Sequence, residues 1–269
     1  MKLLLDYRSK VGITGFRGFI GQKFIETYFN EYNFIETELE GISDSINLIH
    51  LASRVGKNDS ASALLNVSMD LDVFNFCQHS NSRLIYASGN NVYEKKLDCD
   101  VYDKLFCDDW YSWSKVSSEF ALSLESYNFP SRVLRIADVF GAKQRHGNFF
   151  KGIEGSINSS SIFNFNPKIN KLRTYIMVDD LIEVLNFLCK SNWVGKEIYN
   201  IGYKTPYSLD EIIETLASLG MGVELNIEKS KMLDFDRRSM KQSDIPGYSY
   251  KLDMPEALKL YYKQINKSE

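Results

Sequence analysis

The sequence predicts an α/β fold, a doubly wound parallel sheet with helices on both faces. Three observations point to it. Short β-rich runs alternate with helical stretches along most of the chain. A glycine loop, Thr14-Gly15-Phe16-Arg17-Gly18-Phe19-Ile20-Gly21, lies between one such run and the helical stretch after it. Further on, Tyr111 and Lys115 stand four residues apart in a helical stretch, so they share one face of it.

The elements follow in order. Lys10–Thr14 reads as the first strand, and Gly18 to about Asn30 as the first helix. Asn33–Glu36 reads as a short second strand, and Ile46–Leu51 (Ile-Asn-Leu-Ile-His-Leu) is strongly apolar, as a buried strand should be. A helix over 61–79, a strand over 83–87, a helix over 108–126 and a strand over 131–136 come next. A helix over 179–189 and a last core strand over 197–201 complete the sheet. Only about 25 residues separate Gly21 from Ile46, and each parallel crossover alone takes a dozen or more. The second and third strand region is therefore trimmed, with one strand–helix unit missing. Beyond Ala142 the pattern loosens. Residues 1–141, with 172–202 returning to them, are expected to form a dinucleotide-binding domain. Residues 142–171 and 203–269 are expected to form a small mixed C-terminal lobe that binds substrate.

Composition narrows the function. A formal net charge of −3 with no basic block argues against nucleic-acid binding. Cys77, Cys99, Cys107 and Cys189 lack Cys-x-x-Cys spacing and do not cluster with His50, His79 or His146. No metal site or disulfide framework is expected, and a reduced cytoplasmic setting fits. The apolar run Met1 to Leu5 ends at Asp6 and Arg8, too soon for a leader core, and no run is long enough to span a membrane.

The glycine loop offers close backbone approach and open N–H groups at a helix start, where the helix dipole favours a phosphate. Glu36 is the candidate acid for the cofactor ribose, and Arg17, inside the loop, the candidate for a 2′-phosphate. An ammonium beside a phenol lowers its pKa from about 10. Tyr111 with Lys115 is therefore a candidate acid–base pair for chemistry at a carbon bearing oxygen.

In register, these residues resemble the extended short-chain dehydrogenase/reductases, the group of nucleotide-sugar epimerases, dehydratases and reductases with a Rossmann-type fold. Gly15, Gly18 and Gly21 match its cofactor loop, with Phe16, Phe19 and Ile20 between them. Leu51-Ala52-Ser53 resembles the strand end lying along the cofactor, and Asn66 the helix asparagine that supports the site. Arg83 to Ser88, followed by Val92-Tyr93, resembles the strand carrying the catalytic hydroxyl. Leu134 to Gly141, including Ile136 on the cofactor side, resembles the next strand end. Arg173 to Asp180 resembles the segment whose arginine holds the sugar-nucleotide diphosphate, and Tyr199-Asn200-Ile201-Gly202 the last strand. The resemblance implies Tyr111, Lys115 and Ser88 as catalytic residues. It implies Arg173, helped by Arg238, on the diphosphate, with His146, Asn148 and Phe149 about the sugar.

Three departures stand out. The family's catalytic hydroxyl belongs at position 89, which is Gly89, with Ser88 one residue earlier. Asn90 and Asn91 replace the Asp-Glu of the 4,6-dehydratases, which argues against water elimination. Asp138 replaces an asparagine and is expected to face away and cap a turn. Arg17 and Arg54-Val55-Gly56 resemble the branch that makes GDP-fucose, which uses NADPH, so the expected cofactor is NAD(P)(H) with NADPH favoured. Three functions stay open: an NAD(P)H-dependent reductase of a 4-keto-6-deoxy nucleotide sugar, an NAD-dependent nucleotide-sugar 4-epimerase, and a non-catalytic dinucleotide-binding protein. Helices 61–79 and 108–126 carry apolar stripes through which the resemblance implies a homodimer.

Overall fold

The strand that carries the glycine loop is the second in the chain, and the strand before it completes the sheet. In the computed structural model, which describes all residues except 56–57, 145–147, 160, 162, 166–169, 226–234 and 267–269, β1 (Lys2–Asp6) and β2 (Val11–Thr14) form an antiparallel hairpin. Asp6 closes its turn by accepting from the Arg8 N–H at 3.0 Å and the Ser9 hydroxyl at 2.6 Å. After α1 (Phe19–Tyr28), β3 (Ile35–Glu38) pairs antiparallel with the outer edge of β1. A single helical turn, Leu39–Gly41, then leads to β4 (Asn47–His50). The missing strand–helix unit is thus replaced by the hairpin, which needs no crossover.

The remaining elements fall close to their expected places. They are α2 (Ser60–Ser80), β5 (Arg83–Gly89), α3 (Trp110–Ser123), β6 (Ser131–Ile136) and β7 (Asp138–Phe140). Next come α4 (Asn148–Asn158), β8 (Phe163–Phe165), β9 (Asn170–Arg173), β10 (Tyr175–Met177), α5 (Val178–Lys190) and β11 (Lys196–Ile201). The chain ends with β12 (Tyr207–Ser208), α6 (Leu209–Ser218), β13 (Val223–Leu225), β14 (Phe235–Arg238) and α7 (Met254–Ile265). The main sheet has the order β11-β6-β5-β4-β2-β1-β3, parallel from β11 through β2. Three small sheets gather β10 with β7, β12 with β9 and β14, and β13 with β8.

Alternation along the strands sends side chains into two apolar layers. Ile49, Ile85 and Leu134 enter the cluster that continues through α5, α6 and α7. Their neighbours Leu48, Leu84, Tyr86 and Val133 enter the opposite cluster with Leu3, Leu5, Val73 and Phe74. Helix starts are fixed by side chains. Asp59 caps α2, and capping boxes begin α3 (Asp109/Ser112), α6 (Ser208/Glu211) and α7 (Asp253/Glu256). The carboxyl ends of β2, β4, β5 and β6 meet at one edge. The connections diverge between β2 and β4, where sheets of this kind open a crevice for a ligand. Among the described residues, no helix is long and apolar enough to cross a membrane.

Leu3 and Leu5 are fully buried against the α2–α3 side, so β1 is part of the core. Leu3→Ala should lower unfolding free energy by about 3 kcal/mol, read as a shifted urea midpoint with unchanged slope. A loss below about 1 kcal/mol would mean that β1 is a dispensable arm.

Candidate active site

β2 ends at Thr14, and the chain turns at Gly15 with φ +68°. A Cβ on Gly15 would lie 2.6 Å from the Ala52 nitrogen and the Leu51 carbonyl carbon, and one on Gly21 2.6 Å from the Gly15 oxygen and Phe16 Cα. Both glycines are therefore set by close backbone approach. The Gly18 N–H donates to the Gly15 oxygen at 2.9 Å. Helix α1 then starts at Phe19 with no side-chain cap and no acid in its first turn, which leaves its N–H groups open to an anion.

Arg17 stacks over the Phe16 ring and pairs with Glu36 at 3.2 Å. Glu36 also accepts from Lys2 at 2.9 Å, and that bond, with help from Arg17, holds its carboxyl below the usual range. The candidate ribose acid thus sits on the edge strand, with β1 between it and β2.

A buried polar chain ties the loop to α3. Thr14 Oγ1 and His50 Nδ1 are 2.6 Å apart, and His50 Nε2 and Asp70 Oδ1 are 2.8 Å apart. The Tyr86 hydroxyl donates to Asp70 Oδ2 at 2.6 Å, and Lys115 Nζ donates to the Tyr86 oxygen at 3.2 Å and lies 3.8 Å from Asp70. Burial opposes ionisation of Asp70, but the Lys115 ammonium and the hydrogen bond from His50 outweigh it and pull the pKa down to about 2. The Tyr86 phenol, desolvated beside that carboxylate, is pushed far up. His50 has both ring nitrogens engaged inside the core, as a structural histidine should.

Tyr111 is the second residue of α3, one turn before Lys115. Both line a cavity of 470 Å³ with Ile20, Leu51, Ser53, Gly89, Asn91 and Ile136, within the size range of small-ligand sites. Asn66 does not enter this cavity. Its side chain grips the Arg54 backbone, accepting from the N–H at 2.7 Å and donating to the oxygen at 3.3 Å, and so fixes the loop after β4. The buried Ser53 hydroxyl has no hydrogen-bond partner among the described residues. This orphan hydroxyl, the glycine cradle and the uncapped helix fit a dinucleotide.

Ser88 lines the same cavity as Tyr111 and Lys115, and its hydroxyl is already engaged there, which the sequence reading did not anticipate. It donates to Glu119 at 2.5 Å, and Glu119 is gripped by Arg135 at 2.7 Å. Asp138 also departs from expectation. Instead of capping a turn, it accepts from Asn90 Nδ2 at 2.9 Å and lies 3.9 Å from Arg173 Nε.

Arg173 and Arg238 face each other in register across β9 and β14, both more than nine-tenths buried. Arg238 reaches Asp108 at 3.4 Å, while its Nε has no hydrogen-bond partner among the described residues. Phe149 lines an adjoining cavity with Gln144, Lys171 and Tyr175, which shares Asp138 and Val139 with the first. His146 and the side chain of Asn148 lie outside the described residues. Sequence reading missed Asp70, Tyr86, Glu119 and Arg135. The available signal was an acid at helical spacing on the buried face of α2, where Asn66, Asp70, Val73, Phe74 and Cys77 recur.

A family model described as the NAD dependent epimerase/dehydratase family matches residues 39–202. Protein CapI of Staphylococcus aureus is 27% identical over 175 residues, which are 56% of this chain and 52% of that protein. The chain thus spans about half the length of this curated relative. Among solved structures, UDP-N-acetylglucosamine 4-epimerase from Bacillus cereus superposes with TM-score 0.78 and 16% identity, covering 96% of each chain. A UDP-glucuronic acid 4-epimerase mutant from Bacillus cereus, in complex with a fluorinated UDP-sugar and NAD, gives 0.76 and 19%, covering 96% of this chain and 99% of that one. MoeE5 in complex with UDP-glucuronic acid and NAD gives 0.73 and 18%, with the same coverage.

Two outcomes follow from the geometry. Gly15→Ala should weaken NADH binding at least tenfold by fluorescence titration, because the added Cβ has no room and φ is positive. Asp70 has a folded pKa of about 2, below its ordinary value, so its stabilisation is full at neutral pH and is lost as pH falls through that value. Asp70→Asn should cost about 3 kcal/mol at neutral pH in urea denaturation, with the gap to the parent closing toward acid. An equal gap at all pH values would contradict the assignment.

Proposed function

The chain belongs to the NAD dependent epimerase/dehydratase family, and from that premise we propose that it moves hydride at a ring carbon of a nucleotide sugar. The carrying observation is that Tyr111 and Lys115 line the same cavity as the strand-end residues Leu51 and Ser53, beside the glycine cradle. NAD, when bound, supplies the hydride acceptor and donor. The chain's own residues do the rest. The N–H groups at the start of α1 hold the cofactor diphosphate. Lys115, one turn from Tyr111 on α3, offers N–H donors to the nicotinamide ribose. Tyr111 takes the proton from the sugar hydroxyl during oxidation and returns it during reduction. Arg173 and Arg238 present paired guanidinium groups to the substrate diphosphate, and Phe149 forms part of the sugar wall.

Two directions of this chemistry remain, a 4-epimerase and a reductase of a 4-keto-6-deoxy nucleotide sugar. Glu36 is paired with both Lys2 and Arg17, one carboxylate against two cations, so this corner does not by itself choose a ribose diol over a 2′-phosphate. The NAD and UDP-sugars named for the related structures support NAD and the epimerase. Arg17 in the loop is what favours the reductase. We place the enzyme in the cytoplasm, which its free thiols support. We also propose a homodimer through α2 and α3, where Leu64 and Phe120 are 60% and 67% exposed.

Mass analysis of the cofactor released from purified protein tests the direction. An epimerase should release NAD and interconvert UDP-glucose, UDP-glucuronic acid or UDP-N-acetylglucosamine with the 4-epimer. A reductase should consume NADH or NADPH stoichiometrically with a 4-keto-6-deoxy nucleotide sugar. Tyr111→Phe should lower kcat by roughly 10²–10⁴ while NADH still binds. A parent protein that binds NADH yet turns over none of these would leave only the non-catalytic reading. Leu64→Asp with Phe120→Asp should convert a dimer to a 31.0 kDa monomer in sedimentation velocity.

A further inference from the structure

We propose that Asn91 is a catalytic residue, supplying through its side-chain amide the hydrogen bond to the reacting sugar oxygen that Gly89 cannot give. The inference rests on the hydride-transfer reading above.

Gly89 is not demanded by the backbone. Its φ of −145° and ψ of 165° are ordinary extended values open to any residue. What a side chain there would meet first is the movable tip of Asn91. A Cβ on Gly89 would lie 2.7 Å from Asn91 Oδ1, while the next atoms, Asn91 Cγ and the Ile136 oxygen, are 3.8 and 4.0 Å away. The space in which a hydroxyl at position 89 would start is therefore bordered by one group, the Asn91 carboxamide, and that group lines the cavity with Tyr111 and Lys115.

The other polar side chains at this strand end are committed. Ser88 donates to Glu119, and Asn90 donates to Asp138. Asn91 makes no side-chain hydrogen bond to any described residue, so its amide is open to a ligand. Its support is rigid. It sits in the helical turn Asn90–Val92, between the buried Asn90 and Val92, and the buried Tyr93 that follows has its hydroxyl bonded to Asn200 at 2.7 Å. The Val92 oxygen also accepts from the Phe106 N–H at 2.8 Å.

The chemistry differs from that of a hydroxyl in one respect. As the sugar C–H bond breaks, its electron pair leaves with the hydrogen to the nicotinamide. The O–H proton passes to the Tyr111 phenolate, and the oxygen becomes a carbonyl oxygen. An amide N–H can donate to that oxygen throughout, but it cannot receive and pass on a proton as a hydroxyl can. Asn91 therefore polarises the C–O group, and the proton moves between sugar and Tyr111 directly.

The test uses Asn91→Ala, Gly89→Ser and the two combined, each compared with Tyr111→Phe. Assays use whichever UDP-sugar or 4-keto-6-deoxy nucleotide sugar the parent converts, with UDP and NADH affinities by calorimetry and melting temperatures alongside. Asn91→Ala should lower kcat about 10²-fold and leave UDP and NADH affinity unchanged. Gly89→Ser alone should lower activity with little change in melting temperature, because its side chain pushes the movable Asn91 amide from its place. The double variant should recover activity, with kcat within tenfold of the parent, as the serine takes the vacated place. Parent-like kcat in Asn91→Ala with Tyr111→Phe inactive would overturn this inference and leave the hydride reading standing. Unchanged activity in Gly89→Ser would also overturn it. Parent-like turnover in Tyr111→Phe would remove the hydride reading and this inference with it.

Discussion

The ion pair between Asp70 and Lys115, sealed inside the protein with Tyr86 and His50, is the constraint on which the site depends. Lys115 comes from α3, Asp70 from α2, Tyr86 from β5, His50 from β4 and Thr14 from β2. Five elements thus meet through one set of hydrogen bonds. Each buried polar member is satisfied only if all five are in register. A slip of one residue in β4 or β5 would turn His50 or Tyr86 to the other face and leave a buried charge uncompensated. The network fixes the distance from the glycine loop to the catalytic helix more firmly than apolar packing, which tolerates substitution of similar volume. It also holds a positive charge behind Tyr111 regardless of what lies in front of it.

A second buried set, Ser88 with Glu119 and Arg135, does the same one strand over. Arg135 reaches Glu119, the Tyr93 hydroxyl and the Val101 oxygen. Strand β6, helix α3 and the segment after β5 are thereby clamped together. The Ser88 hydroxyl is engaged in this clamp, while the strand end it belongs to lines the cavity through Ser88, Gly89, Asn90 and Asn91. The polar burden passes to Asn90 and Asn91 in the turn that follows.

Most of the sheet was legible in the sequence because its parallel strands are apolar on both faces and their helices are amphipathic. The helix read over 179–189 is α5, and the strand read over 131–136 is β6 with the same bounds. β1 was not legible. Lys2 to Asp6 is a short run without alternation, which periodicity cannot assign, and its partners come from both sides of the loop. Local motifs located the candidate site, since the loop and the Tyr/Lys pair are each carried by one contiguous segment. The Asp70–Tyr86 link and the pairing of Arg173 with Arg238 arise from distant segments brought into register, which no single window of sequence contains. The Ser88–Glu119 bond was hidden for a related reason. The choice between a strand's two faces depends on where the partner carboxylate lies, and Glu119 is thirty-one residues away.

The trimmed edge and the intact crevice follow one rule. A doubly wound sheet opens its ligand crevice where the connections diverge, here between β2 and β4. Strands outside that point support the crevice but do not form it. Replacing a strand–helix unit there by the β1–β2 hairpin leaves the glycine loop, the Leu51–Ser53 segment and α1 in the same relation, because their contacts are with one another. What changes is the far end, where the adenosine ribose would lie. There the acid sits on β3, and β1 inserts Lys2 beside it. Charge in that corner is thus set by three exposed side chains from three segments, Lys2, Arg17 and Glu36. The charge of this corner can therefore be altered without disturbing the surroundings of Tyr111, because the two ends share no polar contact among the described residues.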